Sequence, residues 1–228
     1  MKKIIKLVVL LVICSSIFFI YQKTKYNNYN ILNIGDELSI SINSYGIKDY
    51  SPVSYYKIEL LKTHKTVNIN NNYSEYENSI RIMLEKLKNN SSIRKDLMNS
   101  DQVIITLGYN DLIYKLNVSD ELNSSKFYKI ITEIEKDFNS LIKEIRKYTQ
   151  NEIIVILYPD TYKDNYYLKK GIVYLNELLK KNKEVTAIDT YDLLSNRNKY
   201  FSNPYSFYPN REGYRVISRE IIRKTLEK

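Results

Sequence analysis

Two short, unbroken apolar runs constrain this chain more than any other feature: Val103-Ile104-Ile105-Thr106-Leu107, ending at Gly108, and Ile153-Ile154-Val155-Ile156-Leu157, closed by Pro159. Neither alternates polar with apolar residues, so each predicts a strand covered on both faces, as in a parallel sheet. Between them, residues 124–148 carry Phe127, Ile130, Ile131, Ile134, Phe138, Leu141, Ile142 and Ile145 at helical spacing. That stripe is one core-facing side of a long helix and not a cofactor site. Strand, crossover helix, strand is the unit from which α/β domains are assembled.

The same alternation runs through the rest of the chain. Residues 30–34 predict a first strand ending at Gly35, and Pro52 after Ser51 opens a helix to about residue 62. Residues 66–69 predict a second strand, followed by helices over 76–87 and 93–98 that part at Asn89-Asn90. A helix over 166–181, a strand over 185–188 and an amphipathic helix over 211–226 complete the pattern. We therefore expect an α/β fold: three α/β/α layers around a five-stranded parallel sheet, in one domain over residues 27–228. Ligands in such sheets bind at the carboxyl ends of the strands.

Residues 7–21, LVVLLVICSSIFFIY, are uncharged and apolar on every face. With Ile4, Ile5 and Lys6 they reach about the minimum length of a membrane-spanning helix. Residues 1–26 thus read as an N-terminal signal anchor with a short linker. A cleaved signal, or a lipoprotein processed at Cys14, is the alternative; Ile13 is bulky where processing wants a small residue. Lys2, Lys3 and Lys6 precede the span against Lys23 and Lys25 after it, which places residues 27–228 outside the cytoplasm.

Composition excludes several chemistries. One cysteine forbids an internal disulfide or a thiolate metal cage. One histidine, His64, forbids any mechanism needing two imidazoles. Five of the nine net positive charges lie in residues 1–26, so the remainder carries no clustered basic face and no nucleic-acid partner is expected. No cofactor or metal is expected either.

Three of the expected strand ends carry motifs. Ile34-Gly35-Asp36-Glu37-Leu38 resembles the Gly-Asp-Ser block of the SGNH, or GDSL, hydrolases. Leu107-Gly108-Tyr109-Asn110-Asp111 resembles their Gly-x-Asn-Asp block, and Tyr208-Pro209-Asn210 followed by Gly213-Tyr214 resembles their His-Pro-Asn-x-x-Gly-Tyr block. The order and spacing of the three match the family, whose fold is of the flavodoxin-like, parallel-sheet kind. The resemblance implies ester hydrolysis by a block-one serine, a C-terminal histidine and an aspartate shortly before it. It also implies an oxyanion hole built from a block-one N–H, a glycine N–H and the asparagine side chain.

The chain departs from that pattern at its centre. Glu37 stands at the serine position, Tyr208 at the histidine position, and Tyr205 or Ser206 at the aspartate position. The second-block glycine has no clear match in residues 70–74. What survives is Gly35, Asp36, Gly108, Asn110 and Asp111: the turn and part of the oxyanion site. His64 falls between a helix and a strand at the amino ends, away from the site, and Ser39 has no evident base. Asp36 and Asp111 are expected to brace turns through backbone N–H groups.

The expectation is a membrane-anchored, catalytically inactive domain of this type that binds an acylated glycan or lipid, or an envelope protein. Tyr109, Tyr158, Tyr205 and Tyr208 would form its aromatic walls. The alternatives are an active esterase using Glu37 and a structural subunit of an envelope complex.

Overall fold

The computed structural model describes residues 9–18, 28–42, 46–117, 123–160, 166–203 and 206–227. Five strands, β1 (Asn28–Gly35), β2 (Thr66–Ser74), β3 (Gln102–Thr106), β4 (Glu152–Ile156) and β5 (Thr186–Ile188), pair in parallel in the order β2-β1-β3-β4-β5. β3 is buried along its whole length and β4 over all but its first residue, as their unbroken apolar sequences require.

The helices are α1 (Pro52–Leu60), α2 (Ile80–Asn89), α3 (Ser91–Asn99), α4 (Tyr109–Asn117), α5 (Ser124–Arg146), α6 (Tyr166–Lys181), α7 (Thr190–Leu193), α8 (Arg197–Tyr200) and α9 (Arg211–Thr225). α1 packs on α9, while α2, α4 and α6 pack around α5. These two groups cover the two faces of the sheet. All eight stripe residues of α5 are buried. Capping fixes the helix starts: Ser51 Oγ accepts the Ser54 N–H ahead of Pro52, and Asn90 Oδ1 accepts the Ser92 N–H where α2 gives way to α3.

Several elements differ from what the sequence predicts, three of them beside the strand ends. β2 continues past residue 69 to Ser74, through three asparagines that rarely favour strands. It lies at the sheet edge, where Asn70 bonds Asp96 and Asn71 bonds Asn33, so polar side chains cost nothing in burial. α2 begins at Ile80 and not at residue 76, because Ser79 is its cap and residues 75–79 turn with Glu77 at φ +55°. α4 begins at once after Gly108, a helix that the apolar periodicity does not predict.

Of the expected membrane span, residues 9–18 are described, and they are helical and exposed. Among the described residues no helix is long and apolar enough to cross a membrane. Residues 1–8 and 19–27 lie outside the described residues.

Candidate functional site

β1 and β3 are adjacent, and the crossovers leaving them run to opposite sides, so their carboxyl ends open the crevice in which parallel sheets hold ligands. The first block folds there as a tight turn. The Asp36 N–H bonds Thr106 O at 3.0 Å, and Ser39 Oγ donates to Asp36 O at 2.6 Å. A Cβ on Gly35 would lie 2.5 Å from Ser39 Cβ and 2.9 Å from Thr106 O, so only glycine fits. Ser39 is thereby a structural serine, buried under the turn.

Asp36 is buried and braces the turn as expected: Oδ1 accepts the Leu38 N–H at 3.0 Å. Its Oδ2 accepts the Tyr158 hydroxyl at 2.5 Å, a partner the sequence did not reveal. Burial pushes the Asp36 carboxyl up to about 8, against the Tyr158 hydrogen bond and with help from the Glu37 charge. Burial, and then Asp36 itself, drives the Tyr158 phenol well above its ordinary range. Asn176 of α6 fixes Tyr158 in turn, accepting its N–H at 3.0 Å and donating to its carbonyl at 2.7 Å.

Glu37 points into the site. Its Oε2 accepts from Asn110 Nδ2 and its Oε1 from the Glu77 N–H, both at 3.0 Å. Asn110 Nδ2 also reaches Asn78 O at 3.0 Å. Glu77 holds the left-handed conformation that glycine adopts most freely, and its N–H faces the site from just beyond β2. That N–H is a backbone donor just beyond residues 70–74, the segment in which the resemblance would put a second-block glycine.

Asn78, buried and unanticipated, ties this corner together by donating to Gly35 O at 3.1 Å and Tyr73 O at 3.0 Å. Asp111 anchors the neighbouring helix: its Oδ2 accepts the Ile80 N–H at 2.9 Å, and burial raises its carboxyl. Gly108, at φ +128°, permits the turn from β3 into α4.

The third block lies across the same crevice. Asn210 caps α9 through the Gly213 N–H at 3.0 Å. Tyr208 is half-buried, and burial, followed by the charges of Glu37 and Asp36, pushes its phenol up to about 12. Ser206 Oγ accepts the Tyr208 N–H at 3.0 Å, so it shapes the local turn. Tyr205 lies outside the described residues.

Two of the four expected aromatic walls, Tyr109 and Tyr158, are corrected by packing. Tyr109 and Tyr158 are buried, with the Phe207 ring stacked on Tyr109 at 4.0 Å and 9°. They therefore support the site from within and leave no open face for a ligand. His64 sits at the opposite end of the sheet as expected. It is half-buried, with its ring 4.7 Å from Tyr29 and its Nδ1 3.1 Å from Leu60 O.

A groove of about 660 Å³ continues from this corner, walled by α2 and α4 with Asp137 of α5 among its lining residues. Glu77 and Asn110 belong to both groove and site. Among the described residues no group of histidine, cysteine, aspartate and glutamate could hold a metal ion. Chemically, two donors hold the Glu37 carboxylate, the Asn110 amide on Oε2 and the Glu77 N–H on Oε1. Within reach stands a phenol that keeps its proton at neutral pH.

No protein-family model matches the sequence, and no curated protein matches it. Solved structures do. The lipase Lip_vut3 from a goat rumen metagenome superposes with a TM-score of 0.72 at 19% identity, over 86% of this chain and 97% of its own. A catalytic mutant of Axe2, an acetylxylan esterase from Geobacillus stearothermophilus, gives 0.62 at 16% identity, over 86% and 93%. A member of the lipolytic G-D-S-L family from Veillonella parvula gives 0.62 at 18% identity, over 88% and 100%. With its strand order and its three blocks at the strand ends, this chain has the SGNH/GDSL hydrolase fold.

Proposed function

We propose that this chain is a membrane-anchored, extracytoplasmic domain of the SGNH/GDSL type whose site binds a ligand and does not cleave it. One observation carries the reading: the Glu37 carboxylate rests on Asn110 Nδ2 and the Glu77 N–H. Acyl transfer needs such donors free for the charge that develops on the substrate carbonyl. A tethered carboxylate competes for them, and two like charges about 4 Å apart repel by roughly 1 kcal/mol in water and about 4 kcal/mol near a protein surface.

The other positions support the same reading. Tyr208 stands where a base is needed, and a phenol pushed up to about 12 takes no proton from a nucleophile at neutral pH. Ser206 brings no carboxylate to orient a base. Loss of one triad member alone costs on the order of 10⁴ in rate. The apolar run over 7–21, flanked by lysines, supports the anchor and its orientation. The names of the structural neighbours, a lipase and an acetylxylan esterase, favour an acylated glycan or lipid as ligand, with an envelope protein as a further partner.

The test is hydrolysis of p-nitrophenyl acetate by the full chain in detergent micelles, beside Glu37→Ala. Buffer-level rates in both are expected. Turnover by the wild type that vanishes in Glu37→Ala would make Glu37 catalytic and overturn the reading.

A further inference from the structure

We propose that the first turns of α5 and α6 form a tyrosine–lysine patch that docks on the anionic surface of the bilayer holding the anchor. The inference rests on the anchor proposed above and adds a second contact with the same membrane, made by the folded domain itself.

The patch is built where the two helices pack side by side. Lys170 stands there in a cage of rings. Its Nζ lies 5.2 Å from the centre of Tyr128, 5.4 Å from Phe127, 5.6 Å from Tyr166 and 5.8 Å from Tyr174. The Tyr128 and Tyr174 rings meet edge to face, with their hydroxyl oxygens 3.2 Å apart. Phe127 is the buried floor, and Tyr128, Tyr166, Val173 and Tyr174 stand out from it, exposed. A contiguous exposed patch of this kind marks a contact surface. Tyrosine, with an apolar ring and a hydroxyl that stays wet, suits the headgroup level of a bilayer.

Charge selects the partner. Residues 123–132 and 166–176 hold Lys126, Lys129, Lys169 and Lys170 and no acid. Lys169 also reaches Asp160 Oδ2 at 3.7 Å, and the acids of both helices come later, from Glu133 in α5 and at Glu177 in α6. Lysines beside an anionic lipid surface are drawn to it, and their stems let the heads reach phosphate while the rings sit between headgroups. A dissolved polyanion would satisfy the lysines but would offer Val173 and the ring faces no apolar layer in which to leave water.

The tether permits both contacts at once. Asn28 lies in the sheet, one helix layer of about 10–12 Å above the outer face of α5 and α6. A headgroup layer adds roughly 5–7 Å. The seven chain steps from Tyr21 to Asn28 span up to about 25 Å, enough to cover the sum.

The test uses the full chain, in a Cys14→Ser background, in vesicles of phosphatidylcholine and phosphatidylglycerol that carry nitroxide-headgroup lipids. A fluorophore is placed at Ser125→Cys, in the patch, or at Arg219→Cys, on α9 across the sheet. Quenching at 125 is expected to exceed that at 219 by at least about threefold, and to fall toward it when salt rises to about 0.5 M. Tyr128→Ser with Tyr166→Ser and Lys170→Ser should abolish the difference. So should Lys126→Glu with Lys129→Glu, two exposed changes that leave the core intact. Equal quenching at the two positions, or quenching at 125 indifferent to both variants, would overturn the patch while flotation with the vesicles leaves the anchor standing. Weak quenching at 125 with efficient 125–125 crosslinking between chains would give the patch to a second copy and overturn the bilayer contact. Failure of the full chain to float would sink the anchor, and this inference with it.

Discussion

Asp36→Asn should flatten the dependence of stability on pH. In the folded chain Asp36 is buried beneath the site, and its carboxyl is pushed up to about 8, whereas in the unfolded chain it titrates near 4. Below about pH 4 the group is neutral in both states and costs nothing. Between about 4 and about 8 the unfolded chain releases its proton while the folded one keeps it, so stability falls steadily as pH rises. Above about 8 both are ionised and the loss levels off. At roughly 1.4 kcal/mol per pH unit the window corresponds to a ceiling of ~5 kcal/mol.

Asparagine reproduces the neutral acid, with its carbonyl accepting the Leu38 N–H and its amide donating to the Tyr158 hydroxyl. Urea unfolding of the full chain in detergent, followed by tyrosine near-ultraviolet circular dichroism, reads the difference at about pH 5 and about pH 9. The wild type should lose several kcal/mol between them and the variant much less. Asp111 is also raised by burial, but it contributes to both proteins alike, so the difference isolates Asp36. Parallel profiles for the two proteins would refute the buried neutral carboxyl.

Two further outcomes are expected. Glu37→Ser combined with Tyr208→His should hydrolyse p-nitrophenyl acetate roughly 10²-fold above buffer, while either single variant stays near background. A double variant no faster than the singles would show that Asn110 and the Glu77 N–H no longer form a usable oxyanion site. Asn176→Ala should destabilise by about 2–4 kcal/mol, because it leaves the N–H and carbonyl of buried Tyr158 without partners. A loss under about 0.5 kcal/mol in chemical denaturation would contradict that accounting.

The alternation of strand and helix, the burial of β3 and β4, the stripe of α5, the helix start after Ser51 and the break at Asn89-Asn90 were legible in the sequence alone. All are written in neighbours a few residues apart, through periodicity and local hydrogen bonds. The sequence also placed Glu37 and Tyr208 where a serine and a histidine would stand, since motif spacing is likewise linear. Tertiary structure decided what those residues touch. Glu37 meets Asn110 across 73 residues, and Asp36 meets Tyr158 across 122. Such pairs exist only because the sheet order sets β1 beside β3 and places β4 on the other side of β3. The Glu77 donor depended on a left-handed turn that its side chain does not advertise, and Tyr109 is closed to a ligand because Phe207 packs on it. Local pattern fixes which elements form; the layout of the sheet fixes which side chains share a crevice.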